Sequence, residues 1–290
     1  MRGDDRLRLM TSKQQTRFVS ALILAPLAII VLFPFWWMIT TSFDKAATTM
    51  LPFPMHIFPK VFTTNAYTYI LKTIPFTRYF SNTIVVTLGI IIVSTTSALL
   101  AGYALSKINF RGKTLVFLAT LSVLMLPQEV VMIPQYLLIA KIGLTDNYAA
   151  FWIPGLCYVF GTFFVKQNLD TIPDSLKEAA VIDGASEWKV FTRIYLPLCS
   201  TVIATIIILL FLYGWNDLLW PLLILRDNMK FTIQIGIASA TSRSIAGGAT
   251  GTLPAANMAM SLLSVLPVVV VYLFMQRYII SSIALSGIKQ

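Results

Sequence analysis

Charge is what this 290-residue chain has least of: 12% of its residues are Asp, Glu, Lys or Arg, and only 12 are acidic. Soluble domains carry about a quarter charged residues. With 57% hydrophobic residues, the composition excludes an ordinary water-soluble globule. The single histidine, His56, stands in a proline-rich stretch with no ligand-type side chains at metal-binding spacing, so no metal is expected. The two cysteines, Cys157 and Cys199, lie in or beside apolar runs. That excludes a disulfide framework and reads as small buried side chains. Basic residues number 22, for a net charge of +10. They neither cluster on one amphipathic face nor interleave with stacking aromatics, so nucleic acid is not an expected partner.

Catalytic machinery is missing as well. The run Arg111-Gly112-Lys113-Thr114 ends like a phosphate loop, but that pattern needs a glycine five positions before Gly112, where Lys107 stands. It also follows an apolar run rather than a buried strand. No nucleophile–base pair is evident, so the chain reads as neither an ATPase nor any other enzyme, with no cofactor of its own.

What the chain has is hydrophobic length. Six apolar stretches, residues 18–39, 83–105, 115–140, 148–165, 198–225 and 258–275, each approach the ~20 residues that cross a bilayer core as a helix. The first follows a basic tail, residues 1–17, but is too long for a secretion signal and has no small-residue cleavage pattern, so it reads as a retained anchor. The fold class is therefore an all-α membrane protein: six transmembrane helices over residues 18–290, in contact with lipid. Fourteen of the 22 Lys and Arg fall in the N-terminal tail (Arg2, Arg6, Arg8, Lys13, Arg17), after the second span, after the fourth and at the C-terminus. The positive-inside rule then puts both termini in the cytoplasm.

Between the first two spans lies a long outer loop, residues 41–80, in which Pro52, Pro54 and Pro59 forbid a continuous helix. Residues 65–72, NAYTYILK, read as a short helix at the membrane surface, with Tyr67 and Tyr69 suited to the interface. The loop either caps the helix ends passively or docks a partner. The last outer loop, residues 240–256, is rich in Gly and Ser and reads as mobile.

Polar groups inside the spans mark a candidate path. Gln128 and Glu129 sit in the third stretch between Pro127 and Pro134, which kink or break a helix. A charge at that depth is costly unless it faces a cavity or a partner. The pair therefore lines a cavity, or else the helix ends early and both residues sit in a wet outer vestibule. Asn216 and Asp217 pose a similar choice near the outer end of span five. Trp215 and Trp220 beside them belong to the interfacial aromatic belt, or this turn lines the path, where indole faces and amide or carboxylate acceptors suit a polyhydroxylated solute.

Between the fourth and fifth spans, residues 169–197 form a polar loop. Thr171 reads as an N-cap, with Pro173 in the first turn and Asp174 three residues after the threonine. Gly184 ends that helix, Ser186 caps a second one, and Pro197 stops it. Leu176, Ala179, Ala180 and Asp183 share one face, where two alanines allow close approach. Trp188, Phe191 and Tyr195 read as aromatic anchors for a partner. From physics alone, a helix pair lying on the headgroups is an equal reading.

The motif in this loop tips the balance. Glu178-Ala179-Ala180, three residues, Gly184, nine residues, Ile194, one residue, then Leu196-Pro197 resembles the signature of the integral-membrane components of binding-protein-dependent ABC importers. Asp183, Ala185 and Phe191 fit its common embellishments. FSNTIVVT (80–87), AGYALSKINFRGK (101–113), MLPQEVVMIPQYLL (125–138), WNDLLWPLLIL (215–225) and LPVVVVYLFMQRY (266–278) resemble the carbohydrate branch, of maltose-permease type. The resemblance implies a type I importer permease fold in a bacterial cytoplasmic membrane. In it the loop, through Glu178, Ala179, Ala180, Asp183, Gly184, Ala185 and Phe191, sits in a cleft of a separate ATPase that binds ATP and Mg. It further implies a second homologous permease subunit, two ATPase subunits, an external solute-binding protein, and a sugar or oligosaccharide cargo. The tail, ISSIALSGIKQ, departs from the family's glycine-richer end, so no role carries over to Gly287 or Lys289. The rival reading is a stand-alone secondary transporter or channel for a small polar solute.

Overall fold

The computed structural model describes residues 12–245 and 253–287. Arg2, Arg6, Arg8, Lys289 and the glycine-rich part of the last outer loop lie outside the described residues. Apart from one isolated bridge between Asp44 and Phe62, the described residues form helices and connecting loops. The chain divides into two compact units, Met1–Ile74 with Ala240–Leu263 and Pro75–Ser239 with Ser264–Gln290.

In the first unit, α1 (Ser12–Ser42) starts inside the stretch expected to be tail, so Lys13 and Arg17 are helical positions. The long loop that follows is ordered by its own contacts. Thr63 N–H donates to the Phe43 carbonyl at 2.9 Å and Lys45 N–H to the Val61 carbonyl at 3.0 Å. Phe43 packs on Phe62 and Tyr67, each at 5.0 Å. The expected short helix is α2 (Asn65–Thr73). Tyr67, however, serves the loop: its hydroxyl is 3.0 Å from Ser42 Oγ. His56 also finds a partner here, with Nδ1 2.5 Å from the buried Asp44 carboxylate.

In the second unit, α3 (Phe76–Lys107) is the central column; at ~1.5 Å per residue its 32 residues exceed the bilayer core. Close packing on α7 (Val159–Asp170) depends on Gly102. A Cβ there would lie 2.6 Å from Val165 Cγ1 and 3.1 Å from the Thr162 carbonyl oxygen, so only glycine lets these backbones approach. Polar residues on α3 hold irregular backbone. Asn82 Nδ2 donates to the carbonyls of Met229 at 2.8 Å and Phe231 at 3.0 Å, and Thr83 Oγ1 accepts from Ile233 N–H at 2.8 Å. Backbone freed from helix within apolar surroundings needs such partners.

The third apolar stretch is not one helix. α4 (Lys113–Val123) and α5 (Gln128–Lys141) meet at 105°. Eleven residues of α4 reach only ~16 Å, and Pro127, extended at ψ 136°, offers no N–H to carry a helix through the break. The fourth span runs from α6 (Ala149–Trp152) through a 3₁₀ turn (Ile153–Cys157) into α7. The polar loop between the fourth and fifth spans holds α8 (Ser175–Ile182), α9 (Glu187–Val190), a π turn (Phe191–Tyr195) and α10 (Leu196–Leu198). The fifth stretch is also cut: α11 (Ser200–Asn216) stops at Asp217, and a short α12 (Leu219–Ile224) follows. α13 (Ile233–Ile245), whose last turns fall in the stretch 240–256 read from sequence as loop, and α14 (Pro254–Gly287) complete the described helices. Among the described residues, four helices are long and apolar enough to cross a membrane alone, and up to six spans result if each bent pair counts as one.

Candidate functional site

The loop between the fourth and fifth spans is built around a left-handed corner. Gly184 has φ +77°. Its N–H donates to the Val181 carbonyl at 3.0 Å, and Ala185 N–H reaches back to the Ala180 carbonyl at 2.9 Å. This pair of bonds is the Schellman closure, which needs a residue at positive φ. Ser186 caps α9, accepting from Lys189 N–H at 3.4 Å. The other expected cap fails. α8 opens at Asp174, Pro173 precedes it, and Thr171 donates its hydroxyl to the Asn168 carbonyl. Pro197 does not stop the second helix either. The preceding turn widens into the π turn, which absorbs a missing N–H, and the chain bends by 75° after Leu198.

This corner is bolted to the end of α3. Lys107 Nζ donates to Asp174 Oδ1 at 2.6 Å and to the Ile172 carbonyl at 2.7 Å, and lies over the Tyr195 ring at 5.4 Å. Lys177 Nζ returns the link, donating to the Lys107 carbonyl at 2.9 Å and to Glu187 Oε1 at 2.7 Å; Tyr103 hydroxyl donates to the same Oε1 at 2.7 Å. The last carbonyls of α3 thus receive cations, as the helix dipole favours. Burial works to raise the Glu187 carboxyl, but the hydrogen bonds from Lys177 and Tyr103 and the Lys177 charge outweigh it, holding the group below the ordinary glutamate range.

The second feature is a cavity of about 470 Å³ formed by α3, α5, the 3₁₀ turn of the fourth span, and the junction of α11 and α12. Its polar lining comprises Ser94, Gln128, Gln135, Tyr158, Tyr213 and Asp217, set against Ile90, Phe151, Leu210 and Trp220. Gln128 Nε2 donates to the Tyr213 hydroxyl at 2.6 Å. Asp217 Oδ1 accepts from Trp220 N–H at 3.3 Å, and the Trp220 indole donates to the Ala150 carbonyl at 3.2 Å.

The family model of the binding-protein-dependent transport system inner membrane component matches residues 94–284, which takes in the loop and all of the cavity lining except Ile90. The chain belongs to this family. An arabinooligosaccharides transport system permease protein, AraQ, of Halalkalibacterium halodurans is 32% identical over 91% of this chain and 93% of its own length. The trehalose/maltose transport system permease protein MalG of Thermococcus litoralis is 31% identical over 91% and 93%. An sn-glycerol-3-phosphate transport system permease protein, UgpE, of Pectobacterium atrosepticum is 37% identical over 72% and 73%. A crystal structure of a bacterial ABC transporter involved in the import of the acidic polysaccharide alginate contains a chain with the same fold: TM-score 0.81, 24% identity, 93% of this chain and 98% of that one.

In this ABC importer permease, the motif residues divide between two tasks. Glu178, Ala179 and Asp183 are exposed. Ala180 and Ala185 pack inward on the core beside the Gly184 corner. Phe191, expected on the outer face, is only 7% exposed and packs against Tyr103 with ring centroids 4.9 Å apart and planes tilted by 50°. Tyr195 is fully buried, so of the three expected aromatic anchors only Trp188, 65% exposed, faces out. The sequence reading missed Ile182, 85% exposed, although its i, i+3 spacing from Ala179 puts the two on one face.

At the cavity, Gln128 and Asp217 line the wall, whereas Glu129 and Asn216 do not. Glu129 is exposed in the first turn of α5, and Asn216 Nδ2 donates back to the Leu212 carbonyl at 2.9 Å. Trp215 and Trp220 are buried rather than placed in an interfacial belt; Trp215 Nε1 donates to the Ser264 carbonyl at 3.0 Å. Gln135 and Tyr213 were legible in retrospect, at i+7 from Gln128 and i−4 from Asp217, positions that share a helical face.

Proposed function

We propose that this permease subunit works in an ATP-driven importer of a sugar or oligosaccharide, paired with a second homologous permease chain, two copies of a cytoplasmic ATPase that carry ATP and Mg, and an external solute-binding protein. The observation that carries the reading is the loop's exposed apolar face, Ala179, Ile182 and Trp188, on a base tied rigidly to α3 through Lys107. Exposed aromatic and aliphatic anchors on a rigid scaffold are what a docking partner recognises. The relatives named for arabinooligosaccharides and for trehalose and maltose support the cargo class.

In this mechanism the loop and both termini lie in the cytoplasm, in keeping with the distribution of Lys and Arg. ATP binding closes the ATPase pair, the corner at Gly184 moves with it, and Lys107 and Tyr103 carry the displacement into α3, switching the helices between inward- and outward-facing arrangements. Glu178 and Asp183 present carboxylates to the ATPase cleft. Solute passes the cavity bounded by Gln128 and Asp217.

Reconstitution of the purified complex in proteoliposomes tests the reading. Uptake of a neutral oligosaccharide should require ATP, the ATPase subunits and the binding protein, and orthovanadate should stop it. Full-rate uptake by this chain without an ATPase would instead establish the stand-alone transporter.

A further inference from the structure

Membership of the family leaves the charge of the cargo open, since the relatives include permeases named for arabinooligosaccharides and for sn-glycerol-3-phosphate. The cavity lining speaks to that point. We propose that the cavity discriminates by charge, admitting neutral polyhydroxylated solutes and repelling anionic ones, and that Asp217 sets its sign. The inference rests on the reading of this cavity as part of the translocation path.

Among the residues lining the cavity, Asp217 carries the one ionisable carboxylate, and no Lys, Arg or His lines it. A phosphate or uronate entering there meets a like charge and no cation of this chain to balance it. A volume of 470 Å³ is about 10 Å across, so a solute charge anywhere inside lies within roughly one Debye length of the carboxylate. Anion sites are built from Arg, Lys or helix N-termini; no Arg or Lys lines this wall, and of the helix N-termini that reach it, at Gln128, Val159 and Trp220, the last already gives its N–H to Asp217.

The rest of the lining suits a neutral sugar. Ser94, Gln128, Gln135, Tyr158 and Tyr213 supply hydroxyl and amide groups that both donate and accept. Phe151 and Trp220 offer flat apolar faces for the C–H side of a pyranose or furanose ring. Asp217 adds an acceptor for sugar hydroxyls. The volume falls in the range of small-molecule pockets, roughly 300–1,000 Å³.

Cys157 lines the same cavity and is exposed, whereas Cys199 is buried, so the chain carries its own reporter. The complete importer in proteoliposomes is treated with a cationic methanethiosulfonate (aminoethyl) and an anionic one (sulfonatoethyl). Each labelling rate at Cys157 is divided by that reagent's rate with free cysteine, and a Cys157→Ser chain gives the background. The cationic-to-anionic ratio should exceed unity by about ten-fold and fall toward unity in Asp217→Asn. A ratio near unity in the wild type, or one that persists in Asp217→Asn, overturns the charge assignment while leaving the path reading intact. If neither reagent labels Cys157 with or without ATP, although the denatured chain labels fully, the cavity is closed to water and the path reading falls with the inference.

Discussion

Lys107 and Asp174 join two elements that are 67 residues apart: the Lys107 ammonium, 4% exposed at the end of α3, lies 2.6 Å from the carboxylate that opens α8. The pair is lopsided, because Asp174 is 72% exposed. Desolvation falls on the cation, and the Ile172 carbonyl and Tyr195 ring share in stabilising it. Lys107→Met is expected to lower uptake at least about ten-fold, equivalent to ~1.4 kcal/mol of coupling, while the complex still hydrolyses ATP. Asp174→Asn is expected to be milder, since the carbonyl remains. The ratio of transport to hydrolysis in proteoliposomes checks both, and a Lys107→Met complex coupled as tightly as wild type would contradict the strut role.

Ile182 and Gly184 separate docking from shape. Ile182 is exposed and packs on nothing in this chain's core, so Ile182→Asp should leave the thermal stability of the detergent-solubilised permease unchanged. Losing ~2 kcal/mol of apolar burial against a partner should weaken retention of the ATPase about thirty-fold in pull-down titrations. A Cβ on Gly184 meets open space, yet its φ of +77° strains any L-residue. Gly184→Ala is therefore expected to cost about 1 kcal/mol or slightly more, and Gly184→Asn less, because asparagine tolerates the left-handed region.

Gly102→Ala tests the α3–α7 contact. The added methyl would meet Val165 at 2.6 Å, and overpacking of this kind costs about 1–3 kcal/mol. Val165→Gly in the same chain removes both the Cγ1 and the Cβ, which would lie 2.7 Å from the added methyl, so the double variant should lose less than the sum of the two single losses. Additive losses in the melting temperature would show that the two side chains do not compete.

Glu187 makes part of the loop's stability depend on pH. Its folded carboxyl lies below the ordinary value of 4.5, so its contribution is complete above that value and is lost as pH falls through the lower folded value. Glu187→Gln keeps an acceptor for the Tyr103 hydroxyl but loses the charge toward Lys177. The melting temperature of wild type should exceed that of Glu187→Gln at pH 7, and the gap should close as pH falls below 4.5 and through the lower folded value. A gap independent of pH would assign the effect to packing.

Much of the loop was legible because its signals are local. Gly184 announces a left-handed turn, and Ser186 before a helical run announces a cap, whatever the rest of the chain does. The Thr171 cap failed because Lys107, distant in sequence, claims Asp174 and the Ile172 carbonyl, and the helix starts where those contacts leave it. Phe191 and Tyr195 were misread as outward anchors for a related reason. Periodicity puts residues on one face without saying which way that face turns, and Tyr103 on α3 draws this one inward.

The amino-acid sequence by itself determined a helical, lipid-embedded chain with six apolar runs and a soluble corner between the fourth and fifth, since hydropathy and backbone preference act over a few residues. Tertiary structure alone decided how sharply the third run bends at its proline and that the fifth run breaks, that Gln128 and Asp217 face one cavity while Glu129 and Asn216 turn away, and that Lys107 anchors the loop. Those outcomes depend on which surfaces meet across long separations, where burial and hydrogen-bond satisfaction, rather than local propensity, select the arrangement.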